Sequence, residues 1–123
     1  MIETLPDLPN GVVGVRLSGR LSGQEFREFR PTWERLVETD DIRFVEVIDD
    51  DYEGFGPGGL VEDCKIGFGA LFHYHSAFKR MAVVTDKEWV VHVLQALAWM
   101  VPGEFTVFAR DDFDAATQWA VSD

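Results

Sequence analysis

An apolar strand that runs directly into an acidic, glycine-rich turn and then into a helix restricts what this chain can fold into. Residues 44–48 form the strand pattern, residues 49–59 hold three consecutive aspartates and four glycines, and Leu60 opens the helix pattern. In α/β proteins function often sits at such a place, because exposed backbone amides and a helix N-terminus meet at the carboxyl end of a strand. This turn holds no serine, threonine, cysteine, histidine or lysine. It therefore offers shape and negative charge, but neither a nucleophile nor a phosphate clamp.

The net charge of -11 on 123 residues narrows the possible partners. The phosphates of a nucleic acid would be repelled, and electrostatic docking on anionic lipid needs clustered lysine and arginine. The single cysteine, Cys64, excludes an internal disulfide and fits a reducing cytosol. The first residues lack a signal-peptide pattern, and no apolar run approaches the roughly 20 residues that cross a bilayer. We therefore expect one domain over residues 1–123, cytoplasmic or peripheral to the membrane.

Strand and helix patterns alternate along the chain, which predicts an α/β fold. Asn10-Gly11 predicts a hairpin that pairs the first two strands antiparallel, whereas crossover helices require the later strands to be parallel. Ser22 and Glu25 have capping-box spacing at the start of the first helix, which Pro31 should kink or break. Strands are expected at 2–5, 12–18, 42–48, 80–85 and 104–109, and helices from Ser22 to about Asp40, from Pro57 to Phe72, from an Asp86 cap to Val101, and from an Asp111 or Asp112 cap onward.

Segments spread over nearly the whole chain carry a family resemblance. They are Met-Ile-Glu at 1–3, Leu-Pro-Asp-Leu-Pro-Asn-Gly-Val-Val-Gly at 5–14, Ser-Gly-Arg-Leu at 18–21, Asp-Tyr-Glu-Gly-Phe at 51–55, Val-Val-Thr-Asp-Lys-Glu-Trp at 83–89 and Pro-Gly-Glu at 102–104. In these segments the sequence resembles the SpoIIAA-like proteins, small bacterial members of the broader STAS-type fold. The resemblance implies a single-domain β/α superhelix with a mixed, mainly parallel sheet of about five strands and four helices. The resemblance does not imply a catalytic reaction, since the family is largely uncharacterised.

The better-known relatives of that family are anti-sigma-factor antagonists, which exchange partners when a serine at the helix after the third strand is phosphorylated. A phosphate there changes charge and hydrogen bonding where a partner docks. The corresponding segment, residues 54–60, reads Gly-Phe-Gly-Pro-Gly-Gly-Leu and has no phosphoacceptor. Ser76, the nearest serine downstream, lies well past the turn. The resemblance therefore implies a binding surface without the phosphorylation switch.

Residues 89–101 form an apolar helix pattern in which only His92 and Gln95 are polar. A helix that is apolar nearly all round must bury its second face. One interpretation places this helix in the core, which is the usual fate of an apolar stripe. The other predicts an apolar surface beside the preceding helix, which carries Phe68 and Phe72, for a homodimer, an apolar ligand or a membrane surface.

Candidate chemical groups are sparse. His73 and His75 could bind a metal ion together with the aspartates at 49–51, but nothing in the sequence fixes their distances. We favour a solvated turn in which the aspartates cap local amides. Cys64 lies beside apolar residues in a helix pattern and is expected to be a small buried hydrophobe. No cofactor is predicted.

Three functional hypotheses follow. The first is a non-catalytic binding or regulatory module that acts through protein contacts, with a protein partner or as a homodimer. The alternative is a carrier of an apolar, lipid-like ligand or a peripheral membrane protein that uses the helices at 57–72 and 88–101. The third is an enzyme that uses Asp49, Asp50, His73 or His75. The residues expected to bind are Asp49, Asp50, Tyr52, Gly54, Phe55, Gly58, Gly59, Phe68, Phe72, Trp89, Val93 and Trp99.

Overall fold

The computed structural model describes residues 1–56, 58, 63, 77–97, 99 and 103–122, in which a β-sheet carries helices on both faces. The strands are β1 (Ile2–Thr4), β2 (Val12–Leu17), β3 (Arg20–Leu21), β4 (Ile42–Ile48), β5 (Gly54–Phe55), β6 (Phe78–Val84) and β7 (Glu104–Phe108). The helices are α1 (Gly23–Leu36), α2 (Glu88–Leu97) and α3 (Phe113–Val121), with a short 3-10 turn at Arg110–Asp112 before α3.

The main sheet has five strands in the order β1-β2-β4-β6-β7. β1 runs antiparallel to β2, and the pairs β2–β4, β4–β6 and β6–β7 are parallel. β3 and β5 form a separate parallel pair beside the carboxyl ends of β2 and β4. Because β4 lies between β2 and β6, both of its edges are paired, and its side chains can be reached only from the two faces of the sheet.

The first hairpin and the first helix form where their local signals predict them. The turn before β2 is closed by a hydrogen bond from the Val12 amide to the Pro9 carbonyl oxygen. At the start of α1 the Ser22 hydroxyl accepts a hydrogen bond from the Glu25 amide, and the Glu25 carboxylate accepts one from the Ser22 amide. The expected break at Pro31 is wrong, since α1 continues to Leu36. Pro31 is exposed, so its ring adds no steric conflict with the core.

β4 supplies both faces of the core because its side chains alternate. Ile42, Phe44 and Ile48 pack on the face covered by α1 and α2. Val45 and Val47 pack on the opposite face against Ala116 and Ala120 of α3 and their neighbours. Burial of each such side chain stabilises the fold by roughly 1.5–3 kcal/mol before the loss of conformational entropy is counted.

Two arginines of the sheet hold the end of α3. Arg43 on β4 donates from Nη1 to the Ala120 carbonyl oxygen at 3.0 Å, and Arg80 on β6 donates to the Trp119 carbonyl oxygen at 2.6 Å. The Arg80 guanidinium also lies 4.8 Å from the centre of the Trp119 ring. Cations at a helix C-terminus satisfy its unpaired carbonyls and oppose its dipole. The ends of two parallel strands thereby fix where α3 docks.

Several predicted details are not confirmed. The five-stranded sheet is mixed, with one antiparallel and three parallel pairs. The part of the chain that the structure describes has three α-helices, whereas four were expected. The helix expected at 57–72 lies outside the described residues, apart from Gly58 and Asp63. The helix expected to reach Val101 is described over Glu88–Leu97, and Val101 lies outside the described residues. Asp86 does not cap it; the Thr85 hydroxyl accepts from the Lys87 amide, and Asp86 accepts from the Arg110 amide instead.

Candidate functional site

A cleft of about 160 Å³ lies between α1 and the face of the sheet. We call it the α1 cleft. Its walls are aliphatic and aromatic, and two carboxyl groups are its only ionisable groups in the described part of the lining. The described lining residues are Ile2, Val15, Leu17, Phe26, Phe29, Trp33, Phe44, Glu46, Asp63 and Met81.

The aromatic wall of the cleft comes from α1 and β4. Phe26, Phe29 and Trp33 repeat at helical spacing, so they project from one side of α1 toward the sheet. The Trp33 ring meets the Phe44 ring edge to face, with centroids 5.2 Å apart and planes at 86°. This geometry is one of the favourable arrangements for an aromatic pair. The wall is therefore held by contacts of its own and does not depend on a ligand.

Glu46 enters the cleft from the middle of β4. It lies two residues after Phe44 and therefore on the same face of the sheet. Its backbone neighbours on the adjacent strands are Val15 and Val83. No hydrogen bond or ion pair joins its carboxyl group to another described residue. Burial, and to a smaller extent the charge of Asp63, raises the pKa of Glu46 from 4.5 to about 7.

Asp63 and Tyr52 share the electrostatic environment of Glu46. Asp63 is an exposed residue that lines the cleft, and partial desolvation raises the pKa of its carboxyl group. Tyr52 is buried, and its pKa is raised to about 12 by burial first and then by the charges of Glu46 and Asp63. Both carboxyl groups disfavour a further negative charge here. A ligand that brings positive charge, or a proton, relieves the same repulsion.

Arginine side chains form ion pairs with the aspartates of the acidic turn after β4. Arg110 reaches Asp49 Oδ1 from Nη2 at 3.1 Å and Asp50 Oδ2 from Nη1 at 2.9 Å. Arg16 Nε lies 3.8 Å from Asp49 Oδ1, and Asp51 Oδ1 accepts a hydrogen bond from the Gly19 amide at 3.4 Å. Within the described ranges no group of three His, Cys, Asp or Glu side chains is placed to hold a metal ion. The aspartates serve the local structure in this arrangement.

The structure brings together only some of the predicted binding residues. Tyr52 and Trp89 stack, with ring centroids 5.9 Å apart and planes at 13°, and a Cβ on Gly54 would lie 3.9 Å from the Trp89 ring. Phe55 is partly exposed and its ring centroid is 6.1 Å from that of Phe26, which lines the cleft. The predicted residues Tyr52, Gly54, Phe55 and Trp89 are not in the described lining of the cleft.

The other predicted binding residues lie elsewhere in the structure or outside the described residues. Gly58 adopts a φ of 74° beside Gly23. Val93 and Trp99 are exposed on and just after α2. Outside the described residues lie Gly59, Phe68 and Phe72, together with Cys64, His73 and His75.

Glu46 and Asp63 are absent from the sequence-based set. A signal for Glu46 is present, since it is the one acidic residue within the apolar strand pattern Ile42–Ile48. A charged residue in a strand with both edges paired points to a special environment. Asp63 offers no comparable signal, because acidic residues on helices are common and solvated.

The comparison with known proteins agrees with the sequence resemblance. A family model described as SpoIIAA-like matches residues 12–121. The chain belongs to the SpoIIAA-like family. Among solved structures, it is similar to the crystal structure of an uncharacterized DUF3478-family protein with a SpoIIAA-like fold from Shewanella loihica PV-4. That similarity has 20% sequence identity and a TM-score of 0.76, and it covers 98% of this chain and 92% of that chain. No match was found among curated proteins.

At this level of identity, the SpoIIAA-like neighbour supports the fold alone. In this SpoIIAA-like protein the cleft lies on the face of the sheet that α1 covers. On the opposite face, α3 packs against the sheet. Along the stretches that the structure describes, no helix has both the length and the apolar character needed to cross a membrane.

Proposed function

We propose that this SpoIIAA-like protein is a non-catalytic binding module that takes up a small, mainly apolar ligand in the α1 cleft. The observation that supports it is a cleft of about 160 Å³ with aromatic and aliphatic walls. For scale, an engineered apolar cavity of about 150 Å³ in another protein binds benzene. The ligand expected here is of similar size, or a larger molecule that inserts one group of that size.

The chemistry of the cleft supports binding without conversion. Its described lining holds no serine, cysteine, histidine or lysine that could act as a nucleophile beside a base. The third hypothesis named Asp49, Asp50, His73 and His75. Both aspartates are ion-paired with Arg110, and both histidines lie outside the described residues. The ordinary driving force for the proposed binding is removal of apolar surface from water, about 25 cal/mol per Å².

Titration with toluene, followed by amide chemical shifts, tests the proposal. We expect the shift changes to concentrate on α1 and on the parts of β2 and β4 that line the cleft. Trp33→Leu removes part of the aromatic wall and should weaken binding at least about fivefold, near 1 kcal/mol. Trp119→Leu is the matched control, because Trp119 packs on Phe108 at the opposite face of the sheet. No saturable shifts, or an equal loss in both variants, would contradict the proposal.

A second candidate function, self-association, is favoured by the surface of α2. Trp89 and Val93 are four residues apart on one side of the helix, and they are 49% and 48% exposed. Trp99, beyond the end of α2, is 83% exposed. Large apolar side chains grouped on a surface mark contact sites in many proteins. We propose that this surface pairs with its counterpart on a second copy of the chain.

Sedimentation velocity measures the self-association. We expect a concentration-dependent dimer for the unmodified chain and a monomer for Val93→Lys. Gln95→Lys adds the same charge to α2 at an exposed position away from the Trp89–Val93 side and should leave the dimer intact. A monomer at every concentration of the unmodified chain would exclude the proposed dimer.

A further inference from the structure

The α1 cleft combines an aromatic wall with two carboxyl groups, and binding of an apolar ligand does not require the carboxyl groups. Its walls are aromatic, and its two carboxyl groups, from Glu46 and Asp63, have no hydrogen-bond or ion-pair partner among the described residues. A purely apolar ligand would leave these carboxyl groups without partners as it excludes water from them. A ligand that also carries a polar group suited to two acids should therefore bind more tightly than a purely apolar ligand of the same size.

We propose that the α1 cleft selects small organic ammonium ions, with the protonated amine against Glu46 and Asp63 and the apolar body against the aromatic wall. This inference rests on the proposed function, because it names the class of ligand for the same cleft. An ammonium group has three donors and no acceptor, which suits two carboxylates. The faces of Phe26, Phe29 and Trp33 are electron-rich surfaces that also attract a cation.

Other polar ligands fit the cleft less well. A carboxylate or phosphate would add a third negative group beside Glu46 and Asp63, and the whole chain already carries a net charge of -11. A neutral alcohol can hydrogen-bond one carboxyl group, but it leaves the repulsion between the two acids in place. An ammonium ion removes that repulsion and allows both groups to ionise.

Binding should release a proton from Glu46. At pH 8 Glu46 is mainly ionised, and at pH 6 it is mainly protonated, since its pKa is about 7. A cation binds the ionised form, so at pH 6 the ligand must displace a proton and its affinity falls. Among the described residues around Glu46, the ionisable ones are Asp63 and Tyr52. Val15 of β2, Val83 of β6 and the α1 side chains of the cleft are apolar. We therefore assign the released proton to Glu46.

Calorimetric titration with benzylamine, benzyl alcohol and toluene tests the selection with three ligands of one size. At pH 8 we expect benzylammonium to bind at least about tenfold more tightly than either neutral ligand. From pH 8 to pH 6 its affinity should fall about tenfold, which follows from the ionised fraction of a group with a pKa near 7, while toluene binding stays constant. Titrations in buffers of different ionisation heat should show close to one proton released at pH 6.

Two variants separate the roles of the carboxyl groups. Glu46→Gln should reduce the preference for benzylammonium at least about fivefold and remove the pH dependence, while toluene binding is retained. Asp63→Asn should shift the midpoint of the pH dependence to lower pH, because the charge of Asp63 raises the pKa of Glu46. Glu3→Gln, at an exposed position of β1, is the control and should change neither property.

The outcomes distinguish this inference from the proposed function. If toluene binds in the cleft but benzylammonium has no advantage, or if benzoate binds better than benzylammonium, the ammonium selection is wrong and the apolar cleft remains. If Glu46→Gln keeps both the preference and the pH dependence, the assignment to Glu46 is wrong. If none of the ligands binds, the proposed function and this inference fail together.

Discussion

Glu46→Gln is expected to raise the free energy of unfolding by about 3 kcal/mol at pH 8 and by less than about 1 kcal/mol at pH 5. Folding raises the pKa of Glu46 from 4.5 to about 7, so the folded state favours the protonated carboxyl group. The stability of the unmodified chain that depends on this group is fully present below pH 4.5 and is lost as the pH rises through 7. Glutamine is uncharged at every pH and removes this loss.

Urea unfolding at pH 5, 6, 7 and 8, followed by tryptophan fluorescence, measures the effect. The difference between Glu46→Gln and the unmodified chain should grow with pH, whereas Glu3→Gln should follow the unmodified chain throughout. Comparing variants at each pH cancels the general repulsion of an acidic chain, which also changes over this range. Parallel stability curves for Glu46→Gln and the unmodified chain would show that burial does not control this carboxyl group.

Gly103→Ala is expected to lower the free energy of unfolding by about 3–5 kcal/mol. Gly103 precedes β7 with a φ of 82°, where a side chain is strained. A Cβ at this position would lie 2.6 Å from the Phe78 carbonyl oxygen and 2.7 Å from the Lys79 carbonyl oxygen. Both contacts are with the backbone of β6, so relief requires the β6–β7 pair to move.

Gly11→Ala is the matched control for this prediction. Gly11 has a φ of 86°, and no atom lies within 4 Å of a Cβ built there. It should therefore show the backbone strain alone, about 1 kcal/mol. Denaturant unfolding of both variants separates the strain from the steric contact. An equal loss of stability in the two variants would mean that the close approach at β6 has no energetic consequence.

Features that depend on neighbouring residues could be predicted from the sequence. The Asn10-Gly11 hairpin, the Ser22–Glu25 capping box and the bounds of β4 follow from short patterns, and the structure has all three. The family resemblance extended this to the fold family, a SpoIIAA-like fold with a five-stranded mixed sheet. Of the two effects expected for Pro31, a kink or a break, the break is wrong, because α1 continues through it to Leu36 and packs its apolar face on the sheet.

The candidate site could be predicted far less well, because distant parts of the chain form it. Asp86 was expected to cap α2, but its carboxylate accepts a hydrogen bond from the Arg110 amide, 24 residues away. The Asp49 and Asp50 carboxylates pair with the side chain of the same arginine, and Asp51 accepts from the Gly19 amide, so their availability could not be judged from residues 49–51 alone. The strand pattern marks Glu46 as its one acidic residue, but no local pattern shows that α1 and Asp63 lie beside the same cleft.

The arginines that hold α3 have a consequence for biosynthesis. Arg43 and Arg80 leave the ribosome long before their acceptors, since the Arg43–Ala120 hydrogen bond spans 77 positions and the Arg80–Trp119 hydrogen bond spans 39. Until residues 119–122 emerge, neither arginine can bind the end of α3, and α3 does not yet cover the sheet face that includes Val45 and Val47. A nascent chain stalled before this point exposes that face to chaperones and to other chains.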